Sequence, residues 1–172
     1  FHLACRNGHI EVVKLLLNDH RRVDINKAIN DEGWTPLYIA CSREYIEIVK
    51  LLLNDERVDV NKRDTFGATA FYIACWNGHI EIVKLLLSDE RVDFNKANDA
   101  GWTPFYSACY YGYTEIVKLL LNDQRVDINK AELNGRTPLE IACSNGHNIE
   151  TIKLLLNDQR IDVNKTNSNG RT

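Results

Sequence analysis

Apolar positions recur along this chain in short bursts at helical spacing, separated by polar stretches of nearly constant length. In Ile80-Glu81-Ile82-Val83-Lys84-Leu85-Leu86-Leu87 the apolar residues form one helical face. Glu81 and Lys84 are three apart and can pair on the wet side, which stabilises a helix by only ~0.2–0.5 kcal/mol. A shorter apolar burst precedes it, beginning with threonine and proline in Thr35-Pro36-Leu37-Tyr38-Ile39-Ala40-Cys41. The Thr35 hydroxyl can accept from free N–H groups of a first helical turn. Pro36 suits the first helical position, where a missing N–H costs nothing. Glycines at 78, 112 and 146 supply the left-handed conformation that ends a helix. The pattern therefore predicts pairs of short antiparallel helices. Polar connectors such as Asn54 to Lys62, with scattered apolar anchors, suit an extended or hairpin segment.

The whole pattern repeats. The block Gly33 to Cys41 returns as Gly67 to Cys75, Gly101 to Cys109 and Gly135 to Cys143, each copy 34 residues after the last. Phe1 to Cys5 is the same block without its first four residues, and Gly170-Arg171-Thr172 opens another. The units run over 1–32 (partial), 33–66, 67–100, 101–134 and 135–169, with a stub at 170–172, and the expectation is one domain over 1–172. One pair of ~10-residue helices cannot bury its apolar face alone, so neighbours must stack into a continuous core. The expected fold is all-α, a solenoid of helix-turn-helix units.

These residues resemble the ankyrin repeat, with its pattern G-x-T-P-L-H-x-A-A-x-x-G-H, an apolar helix and a D-V-N turn. The resemblance covers essentially the whole chain. It implies a curved array with hairpin loops projecting from one side and first helices lining a concave groove that usually binds a protein. There are departures. The connector is one residue longer than usual and lacks its Gly. The His of T-P-L-H is present as His2 and replaced by Tyr38, Tyr72, Tyr106 and Glu140. Ala70 replaces the helix-start Pro, Glu44 stands where Gly is expected, and the last full unit carries one extra residue near Asn148. The first spacing is stretched to 36 residues, Ala4 to Ala40. Local irregularities are expected near Glu44 and Asn148.

A residue found in every unit is architectural, whereas a singular one is free to serve a partner. Cys5, Cys41, Cys75, Cys109 and Cys143 share one position and read as small buried packing residues. Helices stacked ~8–10 Å apart hold such thiols beyond the ~7 Å that a disulfide spans, and no Cys-x-x-Cys pair suggests zinc. His9, His79 and His147 share a position with Tyr45 and Tyr113, which fits packing or hydrogen bonding better than metal ligation. The Asp59-Val60-Asn61 copies read as turn formers. No phosphate-binding glycine loop is present, and the trio of Cys, His and Asp recurs too uniformly to be a catalytic site. Neither catalysis nor a cofactor is expected.

The positions that vary lie after each Cys and beside each hairpin Gly, and large aromatics gather there in the middle units. The residues expected to meet a partner are Trp34, Arg43, Phe66, Trp76, Trp102, Tyr110, Tyr111 and Arg136. Trp, Tyr and Arg dominate binding hot spots. For Trp34 and Trp102, packing on a neighbouring hairpin is an equal alternative.

Composition adds boundaries. With 44% hydrophobic and 26% charged residues and a net charge of -3, the chain reads as a soluble protein with no nucleic-acid or membrane partner. No apolar run approaches the ~18 residues of a membrane span. Starting at Phe1 and lacking Met, it reads as a piece of a longer protein. Unpaired thiols favour a reducing, intracellular compartment. The expected function is a monomeric protein-interaction module. The alternatives are a regulatory or substrate-recruiting segment of a larger enzyme, and a spacer or self-associating array.

Overall fold

Each predicted threonine cap closes in the computed structural model, which describes residues 1–19, 23–28, 31–146, 148–168 and 170. The hydroxyls of Thr35, Thr69, Thr103 and Thr137 accept from the backbone N–H of Tyr38, Tyr72, Tyr106 and Glu140 at 3.0–3.1 Å. They start helices α3 (Pro36–Ser42), α5 (Ala70–Asn77), α7 (Pro104–Tyr111) and α9 (Pro138–Asn145). Because Thr69 supplies the cap, Ala70 in place of proline leaves the start of α5 intact. Each is followed by a second helix: α4 (Ile46–Leu53), α6 (Ile80–Leu87), α8 (Thr114–Leu121) and α10 (Ile149–Asn157). The first pair is α1 (His2–Arg6) and α2 (Ile10–Asn18). The described residues contain no strand.

Two compact units divide the chain, residues 1–93 and 94–172. Within the first, α1, α3 and α5 stack in one layer and α2, α4 and α6 in a second. Within the second, α7 packs on α9 and α8 on α10. In both, the apolar face of the second helices is the core: Ile48, Val49 and Leu52, Ile82, Val83 and Leu86, and Ile116, Val117 and Leu120 are all fully buried. Connector residues Val58, Val60, Val92, Val126 and Ile128 are buried as well.

The connectors carry a second bond between repeats. In the first unit Asn61 donates its amide to the Arg91 carbonyl (2.7 Å) and accepts from the Asp93 N–H (2.8 Å). Asn26 does the same with Arg57 and Asp59. In the second unit Asn95 clips Arg125 and Asp127, and Asn129 clips Arg160 and Asp162. Alongside, Arg57 and Arg91 pair with Asp55 and Asp89 two residues back and reach the C-terminal carbonyls of the preceding repeat's second helix, Leu17 and Leu53. Arg160 does so with Asp158 and Leu121. Lys62, Lys130 and Lys165 donate to the backbone carbonyls of Asn26, Asn95 and Asn129. The connector polar residues are therefore more than turn formers on a solvated face. Their side chains satisfy helix-end carbonyls and connector backbone groups of adjacent repeats.

The two expected irregularities differ in kind. Glu44 adopts φ 59°, the left-handed region that glycine fills elsewhere, while the Tyr45 N–H still reaches the Ala40 carbonyl at 2.9 Å. The equivalent bond after Gly78 joins His79 to Ala74. The turn is thus kept at a conformational cost to Glu44. At the extra residue, α10 gains a new cap: the Asn148 side chain accepts from the Glu150 N–H at 3.0 Å. Its amide also reaches Thr114 (2.7 Å) and the Gly112 carbonyl (3.3 Å). His147 and the stub residues Arg171 and Thr172 lie outside the described residues.

Leu52→Ala or Leu86→Ala removes a fully buried leucine and is expected to cost ~2–5 kcal/mol in urea-induced unfolding. A loss below 1 kcal/mol would contradict the stacked core. A pH dependence follows from the connectors. Hydrogen bonds from Arg91, Arg125 and Arg160 hold Asp89, Asp123 and Asp158 below the usual carboxylate range, against the opposing pull of burial. A depressed native pKa adds stability above the unfolded pKa, and that stability is lost as pH falls through the native one. The urea midpoint should therefore hold near neutrality and decline as pH drops below about 4. Asp89→Asn should flatten that decline, and an unchanged acid slope would refute the contribution.

Candidate interaction surface

Residues four apart on a helix share a face. The hairpin residue before each threonine cap therefore lines up with the third and seventh residues of the helix that follows. In the second unit this row is Trp102, Tyr106 and Tyr110. Its rings are in contact, at 5.0 Å between Trp102 and Tyr106 and 4.8 Å between Trp102 and Tyr110. The series continues around the end of α7. Tyr110 meets Tyr111 edge-on at 4.9 Å and 76°, and Tyr111 stacks on Tyr113 at 5.6 Å. Tyr106 is fully buried, while Trp102, Tyr110, Tyr111 and Tyr113 are half-buried.

In the first unit the ring separations along the same row are longer. Trp34 stacks on Tyr38 at 5.7 Å, and Tyr72 lies 5.8 Å from Trp76. Trp34 and Trp102 thus fold over the first helix of their own repeat. Phe66 stands 65% exposed at a hairpin tip. Arg43 is exposed at the end of α3, and Arg136 is half-buried beside Glu132.

The hairpins that carry this row are built around one acceptor side chain each, buried at Asp64 and Glu132 and half-buried at Asn98. Asp64 accepts from the N–H groups of Phe66 and Ala68, and Asn98 from those of Ala100 and Trp102. Glu132 takes the corresponding place, accepting from the Arg136 N–H (3.2 Å) and guanidinium (3.3 Å) and from the Asn134 amide (3.0 Å). Burial would raise the Glu132 pKa, but these donors and the Arg136 charge hold it below its ordinary value. Tips are laced as well: the Thr65 N–H reaches the Glu32 carbonyl, and Ser168 that of Asn134. In the first unit the Tyr38 hydroxyl donates to Asp64, so burial and that carboxylate both raise its pKa.

The family description Ankyrin repeats (3 copies) matches residues 1–98 and again 71–167. The chain belongs to the ankyrin-repeat family. No curated protein matches it. Ankyrin repeats generally act as protein–protein interaction modules, and this one has an all-α helical-repeat fold whose described helices are all too short and polar to cross a membrane. Among its described residues no three His, Cys, Asp or Glu side chains form a cluster that could hold a metal ion.

The repeated cysteines and histidines of this ankyrin chain divide between framework and surface. All five cysteines are free thiols, and Cys5, Cys41, Cys75 and Cys109 are buried as expected. Cys143 is exposed and corrects that expectation, because α9 has no following first helix among the described residues to cover it. Burial pushes the Cys5 thiol up to about 12 and raises Cys41, Cys75 and Cys109 further. His79 meets the Ser42 carbonyl at 3.1 Å and Glu44 at 3.5 Å, tying two repeats together. Asn77 and Asn145 likewise donate to Ser42 and Tyr110. The second position after each Cys is thus partly framework, and Arg43 and Tyr111 are its exceptions.

Sequence reasoning passed over Glu132, Glu140 and Leu133, the last 76% exposed at its hairpin tip. Glu140 was legible as the departure from the T-P-L-H pattern. With a thiol-reactive probe at pH 8 under native conditions, Cys143 should label within minutes and the four buried thiols only after denaturant is added. Rapid labelling of two or more would show that the stacked layers open.

Proposed function

We propose that this chain is a protein-binding array and that the aromatic series on α7 and its hairpin is a principal contact for the partner. The observation that carries this reading is the run of rings from Trp102 through Tyr106, Tyr110 and Tyr111 to Tyr113. Rings locked against one another lose little further entropy on binding and offer a large contact area. Trp34, Trp76, Phe66 and Arg43 present a comparable, less continuous surface on the first unit. Five free thiols fit a reducing compartment, and the array works as a monomer.

A second reading has its own observation. Leu3 and Leu15 on α1 and α2 are 67% and 71% exposed. On the second unit Leu139, Cys143, Leu156 and Val163 line an open groove of about 550 Å³. Exposed apolar faces of this size favour self-association of the array.

Retention of proteins from a reducing lysate, compared between the native chain and Trp102→Ala with Tyr110→Ala, tests the first reading. Loss of two hot-spot rings is expected to remove ~2 kcal/mol or more each, enough to abolish retention of a partner of micromolar affinity. Equal retention moves the contact to the first unit, for which Trp76→Ala is the matching variant. A dimer or larger species in light scattering, broken by Leu15→Asp, would support the second reading instead.

A further inference from the structure

We infer that the aromatic series of the second unit takes a proline-rich segment of the partner in the extended polyproline II conformation. This rests on the docking reading above and names the composition and conformation of what docks. From Trp102 to Thr114 the sequence holds no Asp, Glu, Lys or Arg, and it carries one Trp, one Phe and four Tyr. Phe105 and Tyr106 are buried, while Trp102, Tyr110, Tyr111 and Tyr113 are partly exposed and offer ring surface.

Two hydroxyls of the series are donors that the fold does not use. Those of Tyr110 and Tyr113 have no hydrogen-bond partner among the described residues, and both are open to solvent. A polyproline II segment has no internal hydrogen bonds, so its carbonyls are free to accept from them. Its pyrrolidine rings pack on aromatic faces, which the series supplies at several inclinations. Trp102 and Tyr110 are tilted by 42° and Tyr110 and Tyr111 by 76°, so the rings leave clefts between them and do not form one flat sheet. Stiff before it binds, such a segment also loses little entropy on docking.

The other modes of peptide recognition fit this surface less well. Strand addition needs an open sheet edge, and the described residues contain no strand. A helix arrives with its carbonyls bonded internally and brings no backbone acceptor for the Tyr110 and Tyr113 hydroxyls. An acidic or phosphorylated segment needs a cluster of arginines. Among the described residues the guanidinium acting on Tyr106 is that of Arg136, already hydrogen-bonded to Glu132 at 3.3 Å. The side chains acting on Tyr111 are its neighbours Tyr110 and Tyr113. A neutral segment rich in free carbonyls matches that surface.

The test titrates the whole chain with acetyl-hexaproline amide, about two turns of polyproline II, and with a flexible, acetylated and amidated Gly-Ser peptide of equal length. NMR follows the Trp102 indole N–H, assigned with Trp102→Phe. It should shift saturably with hexaproline and need at least about tenfold more of the Gly-Ser peptide for the same shift. Tyr110→Phe with Tyr113→Phe keeps both rings and removes both donors. That pair should weaken hexaproline about fivefold or more and leave thermal unfolding unchanged, since neither hydroxyl bonds within the described chain. Tyr110→Ala should weaken it more than about tenfold, and Glu115→Gln on the exposed side of α8 should leave it unchanged. Thermal unfolding of each variant verifies the fold. An equal response to both peptides, no response to hexaproline, or full binding by either tyrosine variant would overturn the inference. If hexaproline fails while Trp102→Ala with Tyr110→Ala still abolishes partner retention, only the polyproline chemistry falls and the docking reading stands.

Discussion

A helix pair of about eight residues each cannot close a core, and that deficit organises everything else in this chain. Leu52 of α4 or Leu86 of α6 reaches full burial only because another repeat lies against it. Stability is thus held in the contacts between repeats. The polar connectors obey the same constraint. Asn61 satisfies a carbonyl and an N–H of the next connector with a single amide, and Arg91 returns to the end of the previous second helix. Apolar stacking and this amide clip both act on adjacent repeats, the first through the helices and the second through the connectors.

That division of labour explains what was legible in the sequence. Helix starts were legible because Thr-Pro is a local signal, and the layers because a period of 34 residues leaves few other folds. The clip was not. Asn26, Asn61, Asn95 and Asn129 sit in a motif that also reads as a turn, and nothing local reveals that their partners lie about 30 residues onward. Their recurrence in every repeat was the available clue. The same logic failed at Cys143, where identical sequence meets a different neighbour.

The aromatic residues were found because they break the repeat, but their mutual contact was not foreseen. In the sequence Trp102 and Tyr110 stand at positions that vary between repeats. In the structure they share a helical face with buried Tyr106, so a hairpin residue, a core residue and a surface residue form one assembly. The framework beneath these residues leaves their rotamers few choices.

Glu140 carries that argument one step further. The position holds Tyr38, Tyr72 and Tyr106 in the preceding repeats, and Tyr38 spends its hydroxyl on the buried acceptor of the following hairpin, Asp64. Putting an acceptor where a donor belongs leaves Tyr106 and Glu140 each with an unmet oxygen. In a framework this regular, that replacement leaves position 140 less completely hydrogen-bonded than Tyr38.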